Sequence, residues 1–127
     1  MRRLLVLASV LLLLGACRTV PIYNVENAEI FTGSGKDLSH AQVRTAIVNG
    51  LVAKSWQMKE IDSSTIEATN GSKGRTATVR IKYSNKNYSI NYVNSAKFRH
   101  NGGNIHGRYN KWIRSLQDKI NAFLVTM

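Results

Sequence analysis

Between Trp56 and Tyr92 apolar residues recur at every second position, and that period constrains the fold more than any other feature of the chain. Ala77, Val79, Ile81 and Tyr83 alternate with Thr76, Thr78, Arg80 and Lys82. Tyr88, Ile90 and Tyr92 alternate with Ser89 and Asn91, Ile66 and Ala68 with Thr65, Glu67 and Thr69, and Trp56 and Met58 with Gln57 and Lys59. A strand sends successive side chains to opposite faces, so each run is apolar on one side and polar on the other. Asp62-Ser63-Ser64, Asn70-Gly71-Ser72-Lys73-Gly74 and Ser84-Asn85-Lys86-Asn87 have turn compositions. Strands joined by turns this short pair antiparallel, which predicts a four-stranded meander.

A helical period flanks the meander on both sides. Val43, Ala46, Ile47, Gly50 and Leu51 recur at three and four, with Asp37 or Ser39 available as N-cap and an end near Lys54. Tyr109, Trp112, Ile113, Leu116, Ile120 and Phe123 form a stronger stripe over about 108–124. One helix before and one after the meander, both on its apolar face, make an α+β two-layer sandwich. Trp56, Tyr83, Tyr88, Tyr92 and Trp112 are its expected aromatic core.

The chain has 127 residues, enough for one domain. It opens Met1-Arg2-Arg3, continues with the apolar run Leu4–Leu14 and reaches Gly15-Ala16-Cys17. A positive start, an apolar run too short to span a bilayer and small residues before a cleavage point have the layout of a secretory signal peptide. Cys17 is the only cysteine, so a disulfide framework and cysteine-rich zinc sites are excluded. Residues 1–16 are therefore expected to be a leader, 17–37 a flexible tether ending in Thr32-Gly33-Ser34-Gly35-Lys36, and 38–127 a single domain. Ile22–Val25 and Ala28–Phe31 are apolar enough to dock on that domain or to add an edge strand.

Leu14-Gly15-Ala16-Cys17 resembles the lipobox of bacterial lipoproteins. Together with Pro21-Ile22-Tyr23-Asn24-Val25 and Tyr109-Asn110-Lys111-Trp112-Ile113, it resembles small, largely uncharacterised proteobacterial lipoproteins. The resemblance implies cleavage after Ala16 and acylation of Cys17, which anchors the chain in a lipid bilayer. Residue 18 is Arg rather than the Asp that retains such proteins in the inner membrane, which implies the outer membrane, on the periplasmic side. It carries no activity over. With that address, Asn70-Gly71-Ser72 and Asn87-Tyr88-Ser89 read as turn residues rather than glycosylation sites.

Beyond the leader, 16 basic residues face 7 acidic ones, a formal +9. An enzyme needs a positioned nucleophile, acid–base pair or metal. The only thiol is committed to the anchor, no Gly-x-Ser-x-Gly is present, and the spacing of His100 and His106 is unusual for a metal. The chain thus reads as non-enzymatic, with no cofactor and no metal. Two charged features remain. Lys59, Arg80 and Lys82 should lie on the polar sheet face, opposed only by Glu67 and without an aromatic platform for nucleic acid. Lys97, Arg99, His100, His106, Arg108 and Lys111 crowd the approach to the last helix, around Gly102 and Gly103. Cations at a helix N-terminus oppose its dipole, while glycines and free amides there suit an anion. The expected partner is anionic envelope material: lipid or lipopolysaccharide phosphates, or an acidic protein. The alternative is an accessory or assembly subunit that binds a protein through the sheet face or a sheet edge.

Overall fold

A computed structural model describes residues 19–127. The leader and Cys17 lie outside the described residues. In chain order the elements are β1 (Thr19–Pro21), β2 (Val25–Glu29), α1 (His40–Ala53), β3 (Gln57–Asp62), β4 (Thr65–Ser72), β5 (Arg75–Tyr83), β6 (Asn87–Ala96), β7 (Asn104–His106) and α2 (Gly107–Val125). The fold is α+β. Its main sheet is antiparallel, in the order β2-β6-β5-β4-β3, and β1 pairs with β7 in a separate two-stranded ribbon.

The alternating runs form β3 to β6 with the expected facing. Ile66, Ala68, Ala77, Val79, Ile81, Tyr83, Tyr88 and Ile90 enter one core with Val43, Ala46, Ile47 and Leu51 of α1 and Ile113, Leu116, Ile120 and Leu124 of α2. Both helices therefore cover the same sheet face. Trp56 is buried in that core, while Trp112 and Tyr92 are half-buried at its margin. Two expected turns are tighter than their composition suggests. β4 runs through Asn70-Gly71-Ser72, and only Lys73 and Gly74, both at positive φ, make the reversal. Two left-handed residues match the right-handed twist of the flanking strands. Likewise Asn87-Tyr88-Ser89 opens β6 and is not a turn.

α1 begins where its capping chemistry lies. Ser39 accepts from Gln42 N–H at 3.1 Å, and the Gln42 side chain accepts from Ser39 N–H at 2.9 Å, a reciprocal capping box. It ends at Lys54 with Ser55 in the left-handed region, so that Trp56 N–H reaches Leu51 O and Ser55 N–H reaches Val52 O.

The four-stranded meander needs correction, and of the two states open to the apolar segments of the arm, the edge strand is the one formed. β2 adds a fifth strand beside β6, with Val25 opposite Ile90 and Ala28 opposite Tyr88. A bulge between these pairs contains Asn27 at positive φ. β1 crosses to the other end of the chain, placing Thr19 opposite His106 and Pro21 opposite Asn104. The physical cause is unmet backbone hydrogen bonding. The free edge of β6 and the short β7 offer unpaired groups, and the arm supplies their complement. Asn110, buried on α2, fastens the crossing. Its side chain accepts from Tyr23 N–H and donates to Pro21 O, both at 2.9 Å. Two of the three segments that carry the lipoprotein resemblance, Pro21–Val25 and Tyr109–Ile113, thus meet in space.

Candidate functional site

The approach to α2 is built from two reversals. Leaving β6, Lys97 and Arg99 both take positive φ, a conformation that costs a residue with a side chain about 1–3 kcal/mol. Between them Phe98 turns into the core, 1% exposed, while Lys97 and Arg99 remain outside. Phe98 meets Tyr109 and Trp112 edge-on, at 6.0 and 4.9 Å between ring centroids. Asn101 and Asn104 then exchange backbone hydrogen bonds around Gly102 and Gly103, and Gly102 has φ +60. The glycines form the tip of this hairpin. β7 follows, and His106 N–H donates to Phe98 O at 2.7 Å.

His106 is the N-cap of α2. Its Nδ1 accepts from Arg108 N–H at 3.1 Å, so the ring caps the helix in its neutral form with the proton on Nε2. One amide of the first turn, that of Arg108, is thereby occupied by the protein itself. What converges there is side-chain charge. Partial burial, and then Arg75, Arg108, Arg99 and Lys111 in that order, hold the His106 pKa below its ordinary value. Four cations thus act on one imidazole. Neither ion pair among the described residues, Arg44–Glu60 and Arg80–Glu67, involves any of them.

The expected site residues divide accordingly. Arg99, His106, Arg108 and Lys111 come together. Lys97 stands one step out. Its carbonyl accepts from Arg75 Nε at 3.3 Å, and its ammonium lies over Gly74. His100 does not join them; it stacks on Tyr92 with centroids 4.8 Å apart. Arg75 is the member that sequence reasoning missed. It is remote along the chain, and the pairing of Thr76 with Ala96 brings it beside Lys97. The positive surface continues along α2 into an open groove lined by Lys54, Lys111, Arg114, Ser115, Asp118 and Lys119.

The opposite face of the sheet is less basic than expected. Arg80 pairs with Glu67 at 3.2 Å, and Lys82 helps hold the Asp62 carboxyl below the usual range, behind hydrogen bonds to Asp62 from Ser64 and Thr65. Asn91 donates to Glu26 at 2.8 Å. Glu26 and Asp62 join Glu67 there, so Arg80 and Lys82 have counter-charges. Of the remaining histidines, His40 stacks on Tyr83 and contacts Ser64 Oγ at 3.1 Å. Among the described residues no group of three His, Cys, Asp or Glu side chains could hold a metal ion, and no helix is long and apolar enough to cross a membrane. No family model matches the chain, and no curated protein or solved structure matches it either.

Proposed function

We propose that this chain is a non-enzymatic lipoprotein of the outer membrane, anchored through acylated Cys17 on the periplasmic side, and that its domain binds anionic envelope material. The observation that carries the binding is the gathering of cations at the start of α2: Arg75 donates to Lys97 O, His106 N–H bonds to Phe98 O beside Arg99, Arg108 N–H bonds to His106 Nδ1, and none of these cations is in an ion pair among the described residues. Unpaired cations gathered by the fold repel one another, and an anion relieves that repulsion. The lipobox carries the address. An accessory-subunit role through the sheet edges has less support, because both edge strands are interrupted by bulges and β3 carries Lys59, Glu60 and Asp62, features that discourage pairing with another chain.

The test has two arms. Metabolic labelling with a fatty acid should mark the wild-type chain, which should fractionate with the outer membrane, and Cys17→Ser should abolish both. Purified Cys17→Ser protein, which lacks the acyl chains, should float with vesicles containing anionic phospholipid and release as salt rises, since exposed charges are screened within about 8–10 Å. Labelling of the Cys17→Ser chain sinks the anchor, and salt-independent flotation sinks the electrostatic contact.

A further inference from the structure

The chain emerges into the described domain beside the cluster of cations. Thr19 is the first residue of β1 and lies directly opposite His106, on which the cations converge. Cys17 is two residues earlier. Two residues span at most about 7 Å even when fully extended. The headgroup region of one leaflet is about 5–8 Å thick, the difference between a bilayer's full and hydrocarbon thickness shared over two sides. An acyl group on Cys17 therefore holds the β1–β7 ribbon at the headgroup surface, with no slack to carry the domain away.

The ribbon is fixed to the domain. Asn110 bonds to both Pro21 and Tyr23, Ile22 N–H donates to Gly103 O at 2.9 Å, and the Arg114 guanidinium lies 4.5 Å over the Tyr23 ring. Tyr23 Oη donates to Gln117 at 2.5 Å. A chain clamped at three consecutive residues, Pro21, Ile22 and Tyr23, cannot swivel freely about its anchor.

Resting on the lipoprotein reading above, we infer that the domain docks in one orientation on the bilayer that holds its own acyl chains, with Arg75, Arg99, Arg108 and Lys111 against the phosphates of that leaflet. The anchor supplies proximity and the cluster supplies direction. The end of the β5–β6 hairpin around Asn85 points away from the membrane, since β5 and β6 run from the cluster to that turn. The occupant is the headgroup layer of the anchoring leaflet rather than a free anion, because the cluster lies within one Debye length of that surface. A second membrane or a soluble acidic protein would have to compete with a surface the anchor never leaves.

The experiment uses the acylated full-length protein in vesicles of phosphatidylethanolamine and phosphatidylglycerol. A fluorophore is placed through Gly103→Cys, where an added Cβ meets nothing within 4 Å, or through Asn85→Cys at the far turn. Acylated Cys17 does not react with the label. The quencher is a nitroxide on the lipid headgroup. The label at 103 should be quenched strongly and the label at 85 weakly. Raising the salt, changing to vesicles of phosphatidylcholine alone, or combining Arg99→Gln with Arg108→Gln should reduce the difference while the protein stays on the vesicle. Each charge removed should weaken the orienting attraction about fivefold. Equal quenching at both positions, or a difference insensitive to salt and to the two substitutions, overturns the oriented docking and leaves the anchor standing. Absence of fatty acid on Cys17 overturns the lipoprotein reading itself, and the orientation with it.

Discussion

Tyr109 is fully buried, and among the described residues its hydroxyl finds no hydrogen-bond partner. Burial, and after it Tyr92, push its pKa upward, so the phenol stays protonated. Desolvating a hydroxyl without a partner costs about 1–3 kcal/mol, while the ring keeps its edge contacts with Phe98 and Tyr92. Tyr109→Phe should therefore leave stability unchanged or raise it by about 1 kcal/mol in urea denaturation, and a loss of that size would show that the hydroxyl is bonded. His106 gives a prediction in pH. Its pKa is depressed in the folded chain, so the unfolded chain binds the extra proton first. Its contribution to stability is complete above about pH 6.5, the unfolded value, and is lost as pH falls through the folded value. His106→Asn keeps a capping acceptor and should remove that part of the pH dependence, leaving the carboxylate transitions at lower pH. Identical pH profiles for the two proteins would show that His106 does not titrate differently on folding. Most of this site was legible as a run of cations near 97–111. Arg75 was not, because strand pairing rather than chain proximity brings it there. His100 was misplaced because its ring prefers the face of Tyr92, a contact that residue spacing does not encode.

Helix packing turns on Gly50. A Cβ there would lie 2.7 Å from Ile120 Cγ1 and 3.3 Å from the Ile120 Cα and backbone nitrogen. Replacing glycine by alanine inside a helix normally gains up to about 1 kcal/mol, but overpacking costs about 1–3 kcal/mol and here presses on backbone. Gly50→Ala should lower stability by about 1 kcal/mol, measured by chemical denaturation, and stabilisation would mean that α1 and α2 separate more easily than their contact suggests. The N-terminal arm is held by different means. Asn110→Ala removes the partners of Tyr23 N–H and Pro21 O, and the expected loss is about 1–3 kcal/mol. Amide exchange should rise first at residues 19–23 while β4 and β5 stay protected. Uniform acceleration would show that the arm and the sheet open together. The long elements follow from periodicity, since a stripe of five or six apolar positions leaves one way to bury them. β1, β2 and β7 have three to five residues each, too few for a period. Val25-Glu26-Asn27-Ala28-Glu29 has only two apolar members, separated by a bulge. The apolar pairs of the arm allowed an edge strand to be expected, but which edge it joins is visible only after the sheet has formed, because a distant edge supplies the hydrogen bonds.

At the scale of the whole molecule, net charge and its placement make different claims. The chain carries a formal +11, and a uniformly basic surface would attract any anionic bilayer through every face. The fold distributes this charge unevenly. On the open sheet face Arg80 is paired with Glu67, Lys82 has Asp62 nearby, and Glu26 faces Asn91. At the start of α2 Arg75, Arg99, Arg108 and Lys111 gather near His106, and none of them is in an ion pair among the described residues. Two triple variants remove the same charge from different places: Arg99→Gln, Arg108→Gln and Lys111→Gln at the cluster, and Lys59→Gln, Arg80→Gln and Lys82→Gln on the sheet. If each unpaired cation near an anionic surface contributes about 1 kcal/mol, the first variant, made in the unacylated Cys17→Ser protein like the second, should weaken salt-sensitive vesicle binding by roughly a hundredfold. The second should change it only a few-fold, because its cations already spend their field on neighbouring carboxylates and lie on the face away from the cluster. Co-sedimentation at low ionic strength separates the two cases, since both variants have the same net charge. Equal losses would mean that the bilayer responds to total charge, and the convergence at the start of α2 would then have no part in binding. A large loss confined to the first variant would tie recognition to the geometry that β5, β7 and α2 build together.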